Sequence, residues 1–179
     1  MRNELYTYGW MGEAFNKDEI KQILDFDLPW ESGRMDRGED AVGRSSSVAW
    51  LCDKPEFLWV FDRLITLMDN LNRNHLHLEW DRWLENIQLT RYSPDDHYTW
   101  HCDHGPGSAI HRKLSCTVFL NTDYEGGELE LWADTEPETI NAQVGKIVVF
   151  PCHVLHRVAP VTKGERLSLV AWGHGKRLQ

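Results

Sequence analysis

The chain has 179 residues and a hydrophobic content of 41%, which predicts one globular domain and excludes an intrinsically disordered protein. Its formal net charge of −9, without a long run of Lys and Arg, argues against a nucleic-acid-binding protein. No stretch approaches the roughly 18 consecutive apolar residues of a membrane span, so no membrane partner is expected.

The N-terminus and the cysteines indicate the cellular compartment. Residues 1–12 lack the apolar segment of a secretion signal. The cysteines show neither a CxxC pair nor the spacing of a zinc finger; they are Cys52, Cys102, Cys116 and Cys152. We therefore expect reduced, structural thiols in a cytoplasmic protein. Nothing in the sequence fixes the oligomeric state.

Two amphipathic helices are predicted in the first third of the chain. Asn16 followed by Glu19 matches a capping box, and the apolar residues after it recur at helical spacing, which predicts a helix that ends near residues 26–29. A broad apolar stripe predicts a second helix over residues 55–72.

The segment between these helices is predicted to be a loop. Residues 31–47 are rich in Gly, Ser and charged side chains, as in the long exposed loops that often act as lids. No repeat or linker is visible. We therefore expect a single domain over residues 1–179, with helical support and the lid in 1–74 and a β core in 75–172.

After residue 74 the hydrophobic period changes to two, and turns that contain Gly or Pro separate short segments. This pattern predicts a mainly β fold, namely a double-stranded β-helix (a jelly-roll or cupin-like barrel) with the N-terminal helices packed outside it. The predicted strands are His75–Glu79, Ile87–Tyr92, His97–Asp103, Lys113–Asn121, Glu128–Trp132, Thr139–Ala142, Lys146–Pro151, His156–Val161 and Arg166–Trp172.

Three side chains form a candidate metal site. His101 and Asp103 are two residues apart, so on a strand they project from one face, although about one such pair is expected by chance. His156 begins a later predicted strand and would supply a third ligand. Two imidazoles and one carboxylate suit iron(II) because they leave coordination positions open, whereas structural zinc sites are closed. The alternative is that these histidines lie in the core with their hydrogen bonds satisfied and bind no metal.

A second grouping of the same residue types competes with this site. His75, His77 and Glu79 alternate with leucines and would share one strand face. No matching ligand motif occurs elsewhere in the sequence. We therefore prefer the interpretation that these residues form the polar side of a half-exposed strand and bind no metal.

A candidate anion site follows His156. Arg166 and Ser168 share one face of a predicted strand, where a guanidinium and a hydroxyl offer several donors to a carboxylate. Without the metal triad, a surface salt bridge would be the simpler interpretation of Arg166.

Several ordered motifs resemble the prolyl-4-hydroxylase-like branch of the 2-oxoglutarate/iron(II) dioxygenases, especially the PKHD-type hydroxylases. The resemblance covers residues 87–172 strongly and residues 44–86 more weakly. Its motifs are IQLTRY (87–92), YTWHCDHG (98–105), RKLSCTVFLN (112–121), YEGGELEL (124–131) and GKIVVFPCHVLHRVAPVTKGERLSLVAW (145–172).

The resemblance implies a reaction and its cofactors. His101, Asp103 and His156 match the family's Fe²⁺ ligands, and Arg166 matches the cation that pairs with the C5 carboxylate of 2-oxoglutarate. The cosubstrates would be 2-oxoglutarate and O₂, with ascorbate as an auxiliary reductant. The expected reaction is hydroxylation of an unactivated C–H bond, with release of succinate and CO₂.

The resemblance also implies a substrate, a prolyl residue in a peptide or protein. A free amino acid or another small metabolite is the enzymatic alternative. A metal-binding cupin-like module without catalysis is the alternative from another class, and the intact triad together with Arg166 weighs against it.

Further contacts to the cosubstrate are implied less directly. Tyr92 and Tyr98 match pocket tyrosines of the family, although both could simply fill the core. Some relatives carry a tyrosine where this chain has Phe119, which cannot donate a hydrogen bond. Tyr92, Thr117 or Ser168 would have to donate it instead.

Overall fold

The fold is described from a computed structural model, which defines residues 8–33, 43–132 and 134–176. These ranges contain two α-helices, α1 (Lys17–Leu24) and α2 (Leu58–Leu71). Their strands are β1 (Gly9–Met11), β2 (Glu31–Ser32), β3 (Arg44–Ser45), β4 (Ser47–Leu51), β5 (Ile87–Tyr92), β6 (His97–His101), β7 (Arg112–Phe119), β8 (Glu125–Gly126), β9 (Leu129–Trp132), β10 (Glu138–Ile140), β11 (Ile147–Pro151), β12 (Leu155–Val158), β13 (Val161–Lys163) and β14 (Arg166–His174).

Two antiparallel sheets form the barrel. The larger sheet has the strand order β1-β11-β7-β14-β5-β4-β2, and the smaller sheet has the order β10-β9-β12-β6-β3. Strands β8 and β13 pair separately as a short ribbon. The prediction of a mainly β fold with a double-stranded β-helix is confirmed.

The alternation of side chains along β14 shows how the larger sheet is used. Leu167, Leu169 and Ala171 lie on the face that packs with α1 and α2 in the main apolar cluster. Arg166 and Ser168 point to the opposite face, where they line a cavity between the two sheets. One strand therefore contributes to the hydrophobic core and to a polar interior at the same time.

Helix α1 begins as the sequence predicts. The Asn16 Oδ1 atom accepts hydrogen bonds from the backbone N–H groups of Asp18 and Glu19, both at 3.0 Å, and the Glu19 side chain accepts the Asn16 N–H at 2.9 Å. The capping box is confirmed. The helix ends at Leu24, slightly earlier than expected, and Arg63 of α2 reaches Glu19 at 2.9 Å.

The prediction of one long loop over residues 31–47 is wrong at both of its ends. Strand β2 and strand β3 lie within it, and β4 begins at Ser47. Residues 34–42 lie outside the described part of the chain. Strand β4 is held by pairing with β5, where Ala49 lies opposite Leu89. The Gly- and Ser-rich composition of the segment could not predict this pairing, because it depends on a strand far away in the sequence.

The prediction of a strand over His75–Glu79 is wrong. Residues Asn72–Leu76 form a π-helical turn at the end of α2. The Asn72 side chain closes the turn, donating to the Leu78 carbonyl at 2.8 Å and accepting the Leu78 N–H at 2.9 Å. The two histidines and Glu79 therefore do not share a strand face.

The strand predicted over residues 156–161 is divided in two. Strand β12 pairs with β6 and β9 in the smaller sheet, whereas β13 pairs with β8. Pro160 lies at the break and has no N–H for a ladder hydrogen bond. In the described residues neither helix is long and apolar enough to cross a membrane.

The capping box allows a stability prediction. Asn16→Ala removes the acceptor for two N–H groups of α1, so we expect the free energy of unfolding to fall by about 1 kcal/mol. Urea denaturation followed by circular dichroism measures this. Lys17→Ala is the control, because Lys17 is exposed and makes no cap; an equal loss in both variants would contradict the assigned role of Asn16.

Candidate metal centre and anion pocket

Three potential metal ligands converge at one end of the smaller sheet. His101 ends β6 and lies directly opposite His156 of β12 in the strand register. Asp103 follows two residues later, where its backbone N–H donates to the Cys152 carbonyl at 2.9 Å. One ligand atom from each of the three side chains lies within 4.8 Å of the others.

Both imidazoles direct the same nitrogen atom, Nε2, at the Asp103 carboxylate. The Nδ1 atom of His101 lies 2.8 Å from the Thr99 carbonyl, and that of His156 lies 3.0 Å from the Val154 carbonyl. A carbonyl accepts only from a protonated nitrogen, so Nδ1 is protonated in both rings and Nε2 is the nitrogen that faces Asp103. The Nε2 atoms lie 3.7 Å and 3.4 Å from the Asp103 carboxylate.

The surroundings of His101 and Asp103 favour a neutral imidazole and an ionised carboxylate. Burial, followed by the neighbouring His156, lowers the pKa of His101 to about 3, so this imidazole is neutral at pH 7. Burial alone would raise the pKa of Asp103, but the two imidazoles and a hydrogen bond from Ser115 together hold it below its ordinary value. A neutral imidazole and a carboxylate are the forms that bind a metal ion.

Asp103 is oriented by a residue that the sequence did not single out as a site residue. The Ser115 hydroxyl on β7 donates to Asp103 Oδ2 at 2.6 Å, and both residues are buried. Ser115 is two residues from Thr117 and therefore shares its face of β7, but only the packing of β7 beside the turn after β6 shows this contact.

Arg166 lies deep in the barrel with an incomplete set of partners. Only 1% of its surface is exposed. Its Nη1 donates to the Ser168 hydroxyl at 3.0 Å, whereas Nε and Nη2 are buried without a hydrogen-bond acceptor in the described part of the chain. A buried guanidinium with unused donors is costly unless a ligand accepts from them.

The surroundings of Arg166 are mostly aromatic. The rings of Tyr92 and Phe119 both lie 5.4 Å from its guanidinium carbon. Tyr124 also adjoins it: burial raises the pKa of this phenol, whereas the positive charge of Arg166 and a hydrogen bond between the two side chains oppose the increase. These contacts surround the guanidinium, and Arg166 lines the same cavity as the three potential metal ligands.

One cavity of about 720 Å³ connects the two sites. It is lined by every residue that the sequence analysis proposed for the metal or for 2-oxoglutarate: Tyr92, Tyr98, His101, Asp103, Thr117, His156, Arg166 and Ser168. The predicted residues are therefore brought together in one place.

Tyr98 lies in the cavity as predicted, but the sequence did not predict its ring contacts. Its ring stacks on the His101 imidazole, with centroids 3.4 Å apart, and the Arg44 guanidinium covers its other side at 4.7 Å. Arg44 is itself buried and donates to Ser46 at 2.9 Å and to Gln88 at 2.8 Å. Tyr98 thus adjoins the candidate metal ligands.

Comparison with known proteins identifies the family. The model of the 2OG-Fe(II) oxygenase superfamily matches residues 87–174. A PKHD-type hydroxylase from Polaromonas sp. is 33% identical over 166 residues, covering 85% of this chain and 70% of that relative. The chain belongs to the PKHD-type branch of this oxygenase superfamily. Membership implies Fe²⁺, 2-oxoglutarate and O₂ as its cofactor and cosubstrates.

Solved structures of other oxygenases share the fold. A Pseudomonas putida prolyl-4-hydroxylase superimposes with a TM-score of 0.72 at 19% identity, covering 96% of this chain and 94% of that chain. A Trichoplax adhaerens prolyl hydroxylase, solved in complex with a hypoxia inducible factor peptide fragment, superimposes with a TM-score of 0.76 at 14% identity. The superposition covers 94% of this chain and 84% of that chain.

The alignments with further PKHD-type relatives are shorter. One from Idiomarina loihiensis is 32% identical over 110 residues, which covers 59% of this chain and 50% of that relative. The chain thus spans about half the length of such relatives.

The contact between Ser115 and Asp103 generates a prediction about metal affinity. Ser115→Ala removes the donor that orients the carboxylate, so we expect Mn²⁺, a stand-in for iron, to bind about tenfold more weakly. Calorimetric titration without 2-oxoglutarate measures this. Thr117→Val is the matched control, since Thr117 lies on the same face of β7 and makes no contact with Asp103; equal affinities for wild type and Ser115→Ala would refute the role of Ser115.

Proposed function

We propose that the protein is a 2-oxoglutarate-dependent hydroxylase in which His101, Asp103 and His156 hold Fe²⁺ and Arg166 binds the C5 carboxylate of 2-oxoglutarate. The observation that carries the proposal is the buried guanidinium of Arg166. Its Nε and Nη2 atoms have no acceptor in the described part of the chain, and Arg166 lines the same cavity as the three converging ligands.

The metal-binding residues suit iron(II). Two Nε2 lone pairs and one carboxylate on adjoining elements form the two-histidine, one-carboxylate set that leaves positions open for other ligands. Of the described residues, no fourth His, Cys, Asp or Glu joins the group, so those positions are open to a chelating cosubstrate and a gas molecule.

The anion pocket suits a dicarboxylate. A guanidinium offers five N–H donors in a planar fork, and Arg166 uses Nη1 for Ser168, which leaves the Nε and Nη2 donors for a carboxylate. Thr117 and Tyr92 line the same cavity and can donate through their hydroxyls, which compensates for the absence of a hydroxyl at Phe119.

The protein residues bind, orient and shield the reactants. Bound iron supplies O₂ activation coupled to oxidation of 2-oxoglutarate to succinate and CO₂, with one oxygen atom inserted into a substrate C–H bond. Arg166 fixes the distal end of the cosubstrate. Apolar walls that include Leu129, Phe150 and Val158 keep bulk water from the reacting centre.

The proposed substrate is a prolyl residue in a peptide or protein. The PKHD-type relatives and the prolyl hydroxylases with the same fold support it, and one of the latter was solved with a peptide fragment. Trp50 and Arg44 line the cavity as candidate substrate contacts. A free amino acid or small metabolite is the alternative substrate class.

We also propose that the chain acts as one domain in the cytoplasm. The cysteines show neither a CxxC pair nor the spacing of a zinc finger, which supports a reducing compartment.

Removing the guanidinium should specifically weaken cosubstrate binding. In Arg166→Gln we expect the Kd for 2-oxoglutarate to rise about 100-fold, because a charge-assisted contact worth about 2–3 kcal/mol is lost. Anaerobic calorimetry on the Mn²⁺-loaded protein measures it. Metal affinity should stay unchanged, and so should cosubstrate binding in Arg73→Gln, which alters an exposed arginine outside the cavity. An unaltered Kd in Arg166→Gln would disprove the anchor.

Turnover should require all the proposed ligands. With Fe²⁺, O₂ and 2-oxoglutarate, we expect the wild type to form succinate and to add one oxygen atom to proline-containing peptides, as detected by mass spectrometry. His101→Ala and Asp103→Ala should abolish both products because each removes a metal ligand. Oxidation of free amino acids in place of peptides would favour the alternative substrate class. Undiminished succinate formation in Asp103→Ala would refute the metal assignment.

A further inference from the structure

An aromatic ledge lies at the rim of the cavity. We define the ledge as Trp100 of β6, Trp132 of β9 and Leu155 of β12, three side chains of the smaller sheet. Trp132 and Leu155 face each other across neighbouring strands and are 43% and 42% exposed. The Trp100 ring contacts the Trp132 ring edge to face, with centroids 5.4 Å apart. Such exposed apolar clusters mark binding surfaces.

The cation that packs on the ledge, Arg157, is neutralised within the sheet. The Arg157 guanidinium forms an ion pair with Glu130, its partner in the strand register, and lies 4.9 Å from the centre of the Trp100 ring. This packing holds the tryptophans rigid and leaves no unpaired charge on Arg157. The ledge therefore suits apolar or prolyl side chains better than an anion or a cation.

The ledge lies beside the mouth of the candidate active site. Trp100 directly precedes His101 and Leu155 directly precedes His156, so the two-residue period of the strands directs these two side chains to the face of the smaller sheet opposite the metal ligands. Both Trp100 and Leu155 also line the cavity, whereas Trp132 lies beyond its rim. A chain that placed one residue beside the metal ligands and left the cavity over Trp100 and Leu155 would reach Trp132 on the outer face.

We propose that the aromatic ledge docks the residues that flank the hydroxylated residue in an extended polypeptide substrate. This inference rests on the proposed function and narrows its substrate class, because a free amino acid would fit within the cavity and would not reach Trp132. A second copy of the chain is a poorer occupant. A stable dimer buries about 800 Å² per partner, whereas three partly exposed side chains supply only a fraction of that area.

The test compares long and short substrates. Peptides of about 12 residues with a central proline span about 40 Å when extended and can reach the ledge, whereas N-acetylprolinamide cannot. In Trp132→Ala holoenzyme we expect KM for the long peptides to rise about tenfold, the loss typical of one aromatic contact, with KM for 2-oxoglutarate unchanged. Trp132→Phe should retain most of the affinity because it keeps a ring.

Trp10→Ala is the matched control, because Trp10 is 55% exposed on β1 and does not line the cavity. Equal KM values for the long peptides in wild type and Trp132→Ala would refute the docking role of the ledge and leave the hydroxylase proposal intact. So would hydroxylation confined to N-acetylprolinamide or free amino acids, or a wild-type dimer that Trp132→Ala converts to a monomer. Absence of any succinate formation would instead refute the proposed function.

Discussion

The buried guanidinium of Arg166 is the constraint on which the rest of the structure depends. Removing such a charge from water costs several kcal/mol unless its donors are satisfied, and the fold satisfies only some of them, through Ser168. The aromatic rings of Tyr92 and Phe119 lie beside it without accepting from Nε or Nη2. We propose that a dianion such as 2-oxoglutarate supplies the missing acceptors, in which case the ligand and the fold would stabilise each other.

The barrel brings this cation and the candidate metal ligands into one cavity from opposite sheets. Arg166 starts β14 of the larger sheet, whereas His101 and His156 are register partners in the smaller sheet. Strand β7 links the two, because Ser115 orients Asp103 and Thr117 lines the cavity two residues later on the same face. The two-residue period of a strand explains why polar side chains line the cavity while their neighbours pack against the helices.

Much of this arrangement could be predicted from the sequence because it depends on local periodicity. The predicted bounds of β5, Ile87–Tyr92, agree with the structure, and the capping box at Asn16 forms as expected. The convergence of His101 with His156 followed from the ordered motifs of a family, since no local rule relates residues so far apart in the chain. The family model matches residues 87–174.

The features that could not be predicted depend on tertiary contacts. Strand β4 forms because its backbone pairs with that of β5. The histidine-rich segment after α2 forms a turn because the Asn72 side chain binds both the backbone N–H and the carbonyl of Leu78. The stacking of Tyr98 between Arg44 and His101 likewise requires two strands to lie side by side. A single sequence carries no direct signal for such pairings.

The central claim is that Arg166 acts on the distal carboxylate of the cosubstrate, and a chemical double-mutant cycle tests it most directly. The Kd values of 2-oxoglutarate and 2-oxopentanoate, which has a methyl group in place of that carboxylate, would be measured anaerobically on Mn²⁺-loaded wild type and Arg166→Gln. Our account predicts a strong preference for 2-oxoglutarate in the wild type that disappears in the variant. An equal preference in both proteins would show that another group holds the carboxylate, and would contradict the account.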